Sequence, residues 1–171
     1  MTSFEKRIAY LSCPVLLACI GANAWAADPT LTVRTISESG AQQVLVAAEH
    51  EAEKLHAPCA IAVVDASGTL VAFLKMDGVR SGSPDLAIGK ARTSALLQRP
   101  SAETESNVDN GRLAFVTAGL MTLRGGVPLK AGGQVVGAVG VASLNKDNDV
   151  TIAQAAAAAF ESLSTTQLSA R

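Results

Sequence analysis

Aromatic side chains are scarce in this 171-residue chain, at 4%, and histidine occurs only as His50 and His56. Beyond residue 26 the aromatics are Phe73, Phe115 and Phe160, too few for a surface that stacks nucleobases. Charge of one sign is lacking as well. Lys and Arg number 14 against 15 Asp and Glu, and the net charge of -1 argues against nucleic acid as a partner. Cysteine is limited to Cys13, Cys19 and Cys59, and no glycine pair is followed by the G-K-[ST] helix start of a phosphate loop. What the chain does have is apolar residues, 49% against 17% charged, enough for one domain with a sizeable core.

The first 26 residues read as a secretory signal peptide. Lys6 and Arg7 form a basic start, Ile8 to Ile20 an apolar core too short to span a bilayer, and Ala24-Trp25-Ala26 a cleavage site. A leader at 27–35 and a single domain at 36–171 follow. The expected location is periplasmic or secreted, with no transmembrane helix after cleavage. A lipoprotein signal ending at Cys19 is the weaker alternative, because Leu17 fits that pattern poorly. Cleavage leaves Cys59 alone, without a disulfide and at the mouth of an apolar strand, where an inert core thiol is expected.

The chain is organised around Ala60 to Gly78. Two apolar runs flank Asp65-Ala-Ser-Gly68, in which Asp65 can accept from backbone N–H groups and Gly68 can take a positive φ, so the stretch predicts a β-hairpin. Before it, Ala41, Val44, Leu45, Ala48, Ala52 and Leu55 recur at helical spacing from an N-cap at Ser37. His50 falls on the polar side of that helix, where solvation is expected rather than ligation. His56 stands at its end, a capping position that tolerates left-handed backbone.

After the hairpin, Ser83 as N-cap, then Pro84 and Asp85, predict a helix running to about Gln98, stopped by Pro100. Its apolar face is small: Ala87, Ile88, Ala91 and Ala95. Ser101 to Ala118 reads as irregular, a flap or a surface loop. Leu120 to Leu123 reads as a strand, Val127 to Ala131 and Gln134 to Ala142 as a hairpin across Gly132-Gly133, and Val150 to Leu163 as a last helix.

Five ordered segments then carry a resemblance. Ile61-Ala-Val-Val-Asp65-Ala-Ser-Gly68, Met76-Asp77-Gly78, Ser83 to Thr93, Gly125-Gly126-Val127-Pro128 and Gly137 to Val141 are similar to the GlcG/HbpS family, which is related to the C-terminal domain of PduO-type corrinoid proteins. The resemblance covers about Ile36 to Leu163. It implies an α/β, profilin-like fold, a central antiparallel sheet of about five strands with helices on both faces. It also implies a homo-oligomer, an octamer among the assemblies considered, and haem as cofactor in an exported, iron-related role. Lys90-Ala91-Arg92-Thr93 is similar to the segment in which a relative's threonine is associated with haem iron. Thr93 is therefore the implied metal contact, although a neutral hydroxyl is a weak ligand for iron, and His56 is the histidine alternative.

Two departures bear on the ligand. Ala142-Ser143-Leu144-Asn145 stands where relatives have a Ser-Gly-Gly type loop, and Arg124 precedes Gly125-Gly126 in place of proline or a small residue. Asp149 keeps the acidic position at the start of the last helix. The expectation is a haem or tetrapyrrole pocket between the Asp85–Gln98 helix and the glycine pair, formed by Lys90, Arg92, Thr93, Arg124, Gly125 and Gly126, with Arg92 or Arg124 on the propionates. The alternative is an enzyme of the same fold, a lyase acting on hydroxylamino-aromatic acids, with Lys90 and Asp77 as acid–base groups and Arg124 holding the carboxylate.

Overall fold

The computed structural model describes residues 29–169, so the signal segment expected at 1–26, with Cys13 and Cys19, lies outside the described residues. Of the two units into which the chain divides, the one from Val33 onward carries every element named below. In order these are α1 (Glu38–Lys54), β1 (Ala60–Asp65), β2 (Leu70–Lys75), α2 (Ser83–Leu97), α3 (Ser101–Asp109), α4 (Ala114–Thr117), β3 (Gly126–Ala131), β4 (Gln134–Ala142) and α5 (Lys146–Ser169).

The fold is α/β, with one antiparallel sheet of four strands in the order β2-β1-β4-β3. The β1–β2 turn forms as its residues require. Asp65 Oδ1 accepts from the Ser67 and Thr69 N–H groups at 2.8 and 2.9 Å, Gly68 sits at φ 82°, and the register slips between Val63 and Val64. Partial burial pushes the Asp65 carboxyl up, but the bonds from Ser67, Thr69 and Gly68 outweigh it and hold the group below its ordinary 3.8.

α1 starts where Ser37 Oγ accepts from the Gly40 N–H, and it ends in a Schellman motif. His56 sits at φ 50°, its N–H bonded to the Glu53 carbonyl and that of Ala57 to the Ala52 carbonyl, which is the capping role expected of it.

The sheet has two unlike faces. On one, Ile61, Val63, Leu129, Val139 and Val141 pack against Ala41, Val44 and Ala48 of α1 and Ile152, Ala153 and Ala156 of α5. On the other, Ala60, Ala62, Val64, Ala138 and Ala142 meet Ala87, Ala91 and Ala95 of α2. Here the helix lies close enough to touch backbone. Gly126 and Gly140 are paired neighbours in the sheet, and a Cβ on either would run into the Lys90 or the Ala87 carbonyl of α2.

Four expectations are corrected. Leu120–Leu123 is not a strand, which accounts for four strands where about five were expected. Met121 instead packs on Gly89, on the side of α2 away from the sheet. Ser101–Ala118 is mostly helical, as α3 and α4. The N-cap of α2 is Gly82; Ser83 falls one position inside, and its buried hydroxyl has no hydrogen-bond partner. α5 begins at Lys146 rather than at Val150, because Asn145 Oδ1 accepts from the Asp147 N–H at 2.8 Å and starts the helix early.

Candidate functional site

The close seat of α2 on the sheet puts a charged side chain under cover. Lys90 points toward the sheet end of β4, where its Nζ donates to Asp149 Oδ2 at 2.6 Å and to the Val141 carbonyl at 2.9 Å. Both side chains are 4% exposed. Asp149, on the first turn of α5, also accepts from the Ser143 N–H and Oγ, each at 2.6 Å. A buried ion pair repays its desolvation only when additional bonds support it, and here the Val141 carbonyl and the two bonds from Ser143 do so.

The glycine pair is part of the same construction. A Cβ on Gly125 would lie 3.2 Å from Lys90 Nζ and 2.9 Å from Asp149 Cβ, so only glycine leaves the ion pair room. The Gly126 N–H donates to Ser101 Oγ at 2.8 Å, and that hydroxyl donates to the Leu123 carbonyl at 2.7 Å. Just outside, Arg124 Nε donates to Glu105 of α3, and its Nη1 donates to Asp147 of α5 at 3.3 Å. The guanidinium thereby ties two helices together while staying one-third exposed.

Two small cavities flank this cluster. One, of about 110 Å³, is walled by Lys90, Arg124, Glu105, Lys146 and Asp149. The other, of about 140 Å³, is walled by His56, Val79, Ser83 and Asn145. They share Arg80, Ser143 and Leu144, which form the ridge between them. Arg80 Nη2 donates to the Ser143 carbonyl at 3.1 Å, and Leu144 on the crest is 78% exposed.

The structure therefore gathers Lys90, Arg124, Gly125 and Gly126 and sets His56 across the ridge from them. It does not bring the other expected residues there. Arg92 turns to the β1–β2 end, where its Nε donates to the Gly68 carbonyl at 3.0 Å. Thr93 is 1% exposed, its hydroxyl has no hydrogen-bond partner, and it lines neither cavity. Asp77 and His50 are exposed and line neither. Nor is the space between Lys90 and the glycines open, since the two segments are in direct contact and the cavities lie beside them. Among the described residues no cluster of three His, Cys, Asp or Glu could hold a metal ion.

Sequence reasoning missed Arg80, Ser101, Glu105 and Ser143. Ser101 follows Pro100 at a helix start, a signal that was available; the others become visible only once the loops are folded together. No helix among the described residues is long and apolar enough to cross a membrane.

The chain is similar to several known proteins. The family model described as "Haem degrading protein HbpS-like" matches residues 36–158. Protein GlcG of Escherichia coli (strain K12) is 43% identical over 107 residues, which are 62% of this chain and 80% of GlcG. The crystal structure of a double mutant of Streptomyces reticuli HbpS superposes with a TM-score of 0.70 at 30% identity, covering 75% of this chain and 89% of that one. That of a PduOC:haem complex gives 0.67 at 28%, covering 73% and 94%. With the family model spanning most of the chain, and the same fold in these solved relatives, this protein belongs to the GlcG/HbpS family.

Proposed function

We propose that this protein binds haem or a related tetrapyrrole on the ridge between the two cavities, as an exported, periplasmic protein that handles or senses haem or iron. The observation that carries the reading is the ridge itself: an exposed leucine beside Arg80, with Arg124 and Lys146 on one side and His56 on the other. A haem-complexed relative of the same fold supports it.

The residues fit haem as a surface seat rather than as an enclosing pocket. Each cavity falls well short of the roughly 300–1,000 Å³ of an ordinary ligand site. Leu144 offers the porphyrin face an apolar contact, Arg80 matches a propionate, and His56 supplies an imidazole to iron, while Arg124 is already held by Glu105 and Asp147. Haem so bound would supply the redox-active iron; the chain's own part is to hold and orient it. A surface seat exposes the other face of the ring, which favours a second copy of the chain as its cover and a homo-oligomer as the working form. The lyase alternative finds less support. Lys90 already donates to a carboxylate and a carbonyl, and Asp77 shares no cavity with it.

Titrating the exported form with hemin tests the proposal. A saturable Soret shift is expected, weakened about tenfold by His56→Ala and by Arg80→Ala, and unchanged by His50→Ala or Thr93→Ala. No stoichiometric shift would refute it, as would consumption of a hydroxylamino-aromatic acid without haem binding.

A further inference from the structure

A further cleft shares no residue with the ridge cavities. It has about 340 Å³, within the range of small-molecule sites, and opens between the start of α1, the β3–β4 hairpin and α5. Its apolar members are Ile36 and Val136, 6% and 3% exposed, with Phe160 and Leu163 on the α5 side, and Thr35, Gln43 and Ser164 line it as well. Its rim is cationic. Arg34 donates from Nη1 to the Ala131 carbonyl at 3.2 Å and takes part in no ion pair among the described residues, and no Asp or Glu lines the cleft. The N-terminus of α1 borders the same rim through Ser37 and Ser39 and adds its partial positive charge.

Apolar side chains beneath a guanidinium that makes no ion pair select for a ligand with a tail at one end and an anion at the other. We infer that this cleft binds an amphipathic carboxylate, its apolar tail on Ile36, Val136 and Phe160 and its carboxylate on Arg34. A neutral molecule of the same shape would gain only the burial of its tail. A carboxylate gains the charge-assisted bonds to Arg34 as well. The inference is independent of haem binding, since neither site uses the other's residues.

Octanoate and octanol are suitable probes, titrated separately into the full chain and followed by the methyl resonances of Ile36, Val136 and Leu163. Octanoate is expected to shift these resonances saturably and to bind about tenfold more tightly than octanol. Arg34→Gln should abolish that preference, and Arg34→Lys, which keeps the charge, should retain it and show that the fold is intact. Absence of saturable shifts with octanoate, or equal binding of octanoate by wild type and Arg34→Gln, would overturn the inference.

Discussion

The two faces of the sheet are built on different terms. Against α1 and α5 the sheet offers branched side chains, among which Ile61, Val63, Val139 and Val141 are fully buried. Each contributes about 1.5–3 kcal/mol relative to exposure. Against α2 it offers alanine and glycine, and the helix comes down onto bare backbone at Gly126 and Gly140. The first face is a conventional apolar core. The second has little side-chain volume to bury, but it brings Lys90, Gly125, Ser143 and Asp149 close enough to form a single hydrogen-bonded cluster. Stability comes chiefly from one face, and the position of charge from the other.

That contrast can be broken most severely at the ion pair. Asp149→Ala leaves Lys90 buried without a counter-charge and is expected to cost about 3–5 kcal/mol in urea unfolding. The double variant Lys90→Met with Asp149→Leu should recover at least half of that loss, since the penalty belongs to the orphaned charge. Next comes packing. Gly140→Ala forces a methyl into the α2 backbone and should cost about 3 kcal/mol, whereas Ile61→Val, which removes one methyl from the thick face, should cost about 1 kcal/mol. Equal costs would mean that the two faces do not differ in tolerance.

Smaller effects sharpen the picture at the sheet's ends. Asp65→Ala should lower stability by about 1–2 kcal/mol at neutral pH. The folded-state pKa of Asp65 lies below its ordinary 3.8, so its stabilisation is complete above that value and is lost as pH falls through the folded pKa. The difference between wild type and variant should therefore shrink in acid. Cys59, with its pKa pushed up to about 12 by burial first and then by Asp149 and Glu49, should resist thiol reagents in the native protein. Because only the unfolded chain releases that proton near the ordinary 9.0, the native state should lose stability as pH rises beyond it.

Much of the fold was legible because local signals and burial agreed. Asp65 and Gly68 marked their turn, the spacing of Ala41 to Ala52 marked α1, and His56 was read as a cap from its position alone. The misreadings arose where tertiary packing decided. Leu120–Leu123 has the apolar content of a strand, but Met121 spends it on the outside of α2, so no fifth strand forms. α3 is polar because only Ser101, Thr104 and Glu105 of it are buried, and that polarity was taken for irregularity. At the site, Lys90 and the glycine pair were identified, yet the partnership of Lys90 with Asp149 spans 59 residues and carries no local signature. The expectation of Thr93 came from the likeness of Lys90–Thr93 to a relative's segment; one turn on from Lys90, its side chain is 1% exposed and sealed in the interior, which no local signal reveals.

The Arg80–Leu144 ridge is the proposed seat of haem. Leu144 is 78% exposed, so Leu144→Asp should leave the thermal midpoint unchanged while placing a charge against the porphyrin face. Hemin affinity measured from the Soret band of this variant against wild type is the most direct test: a loss of about tenfold or more is predicted, and equal affinity would contradict the claim.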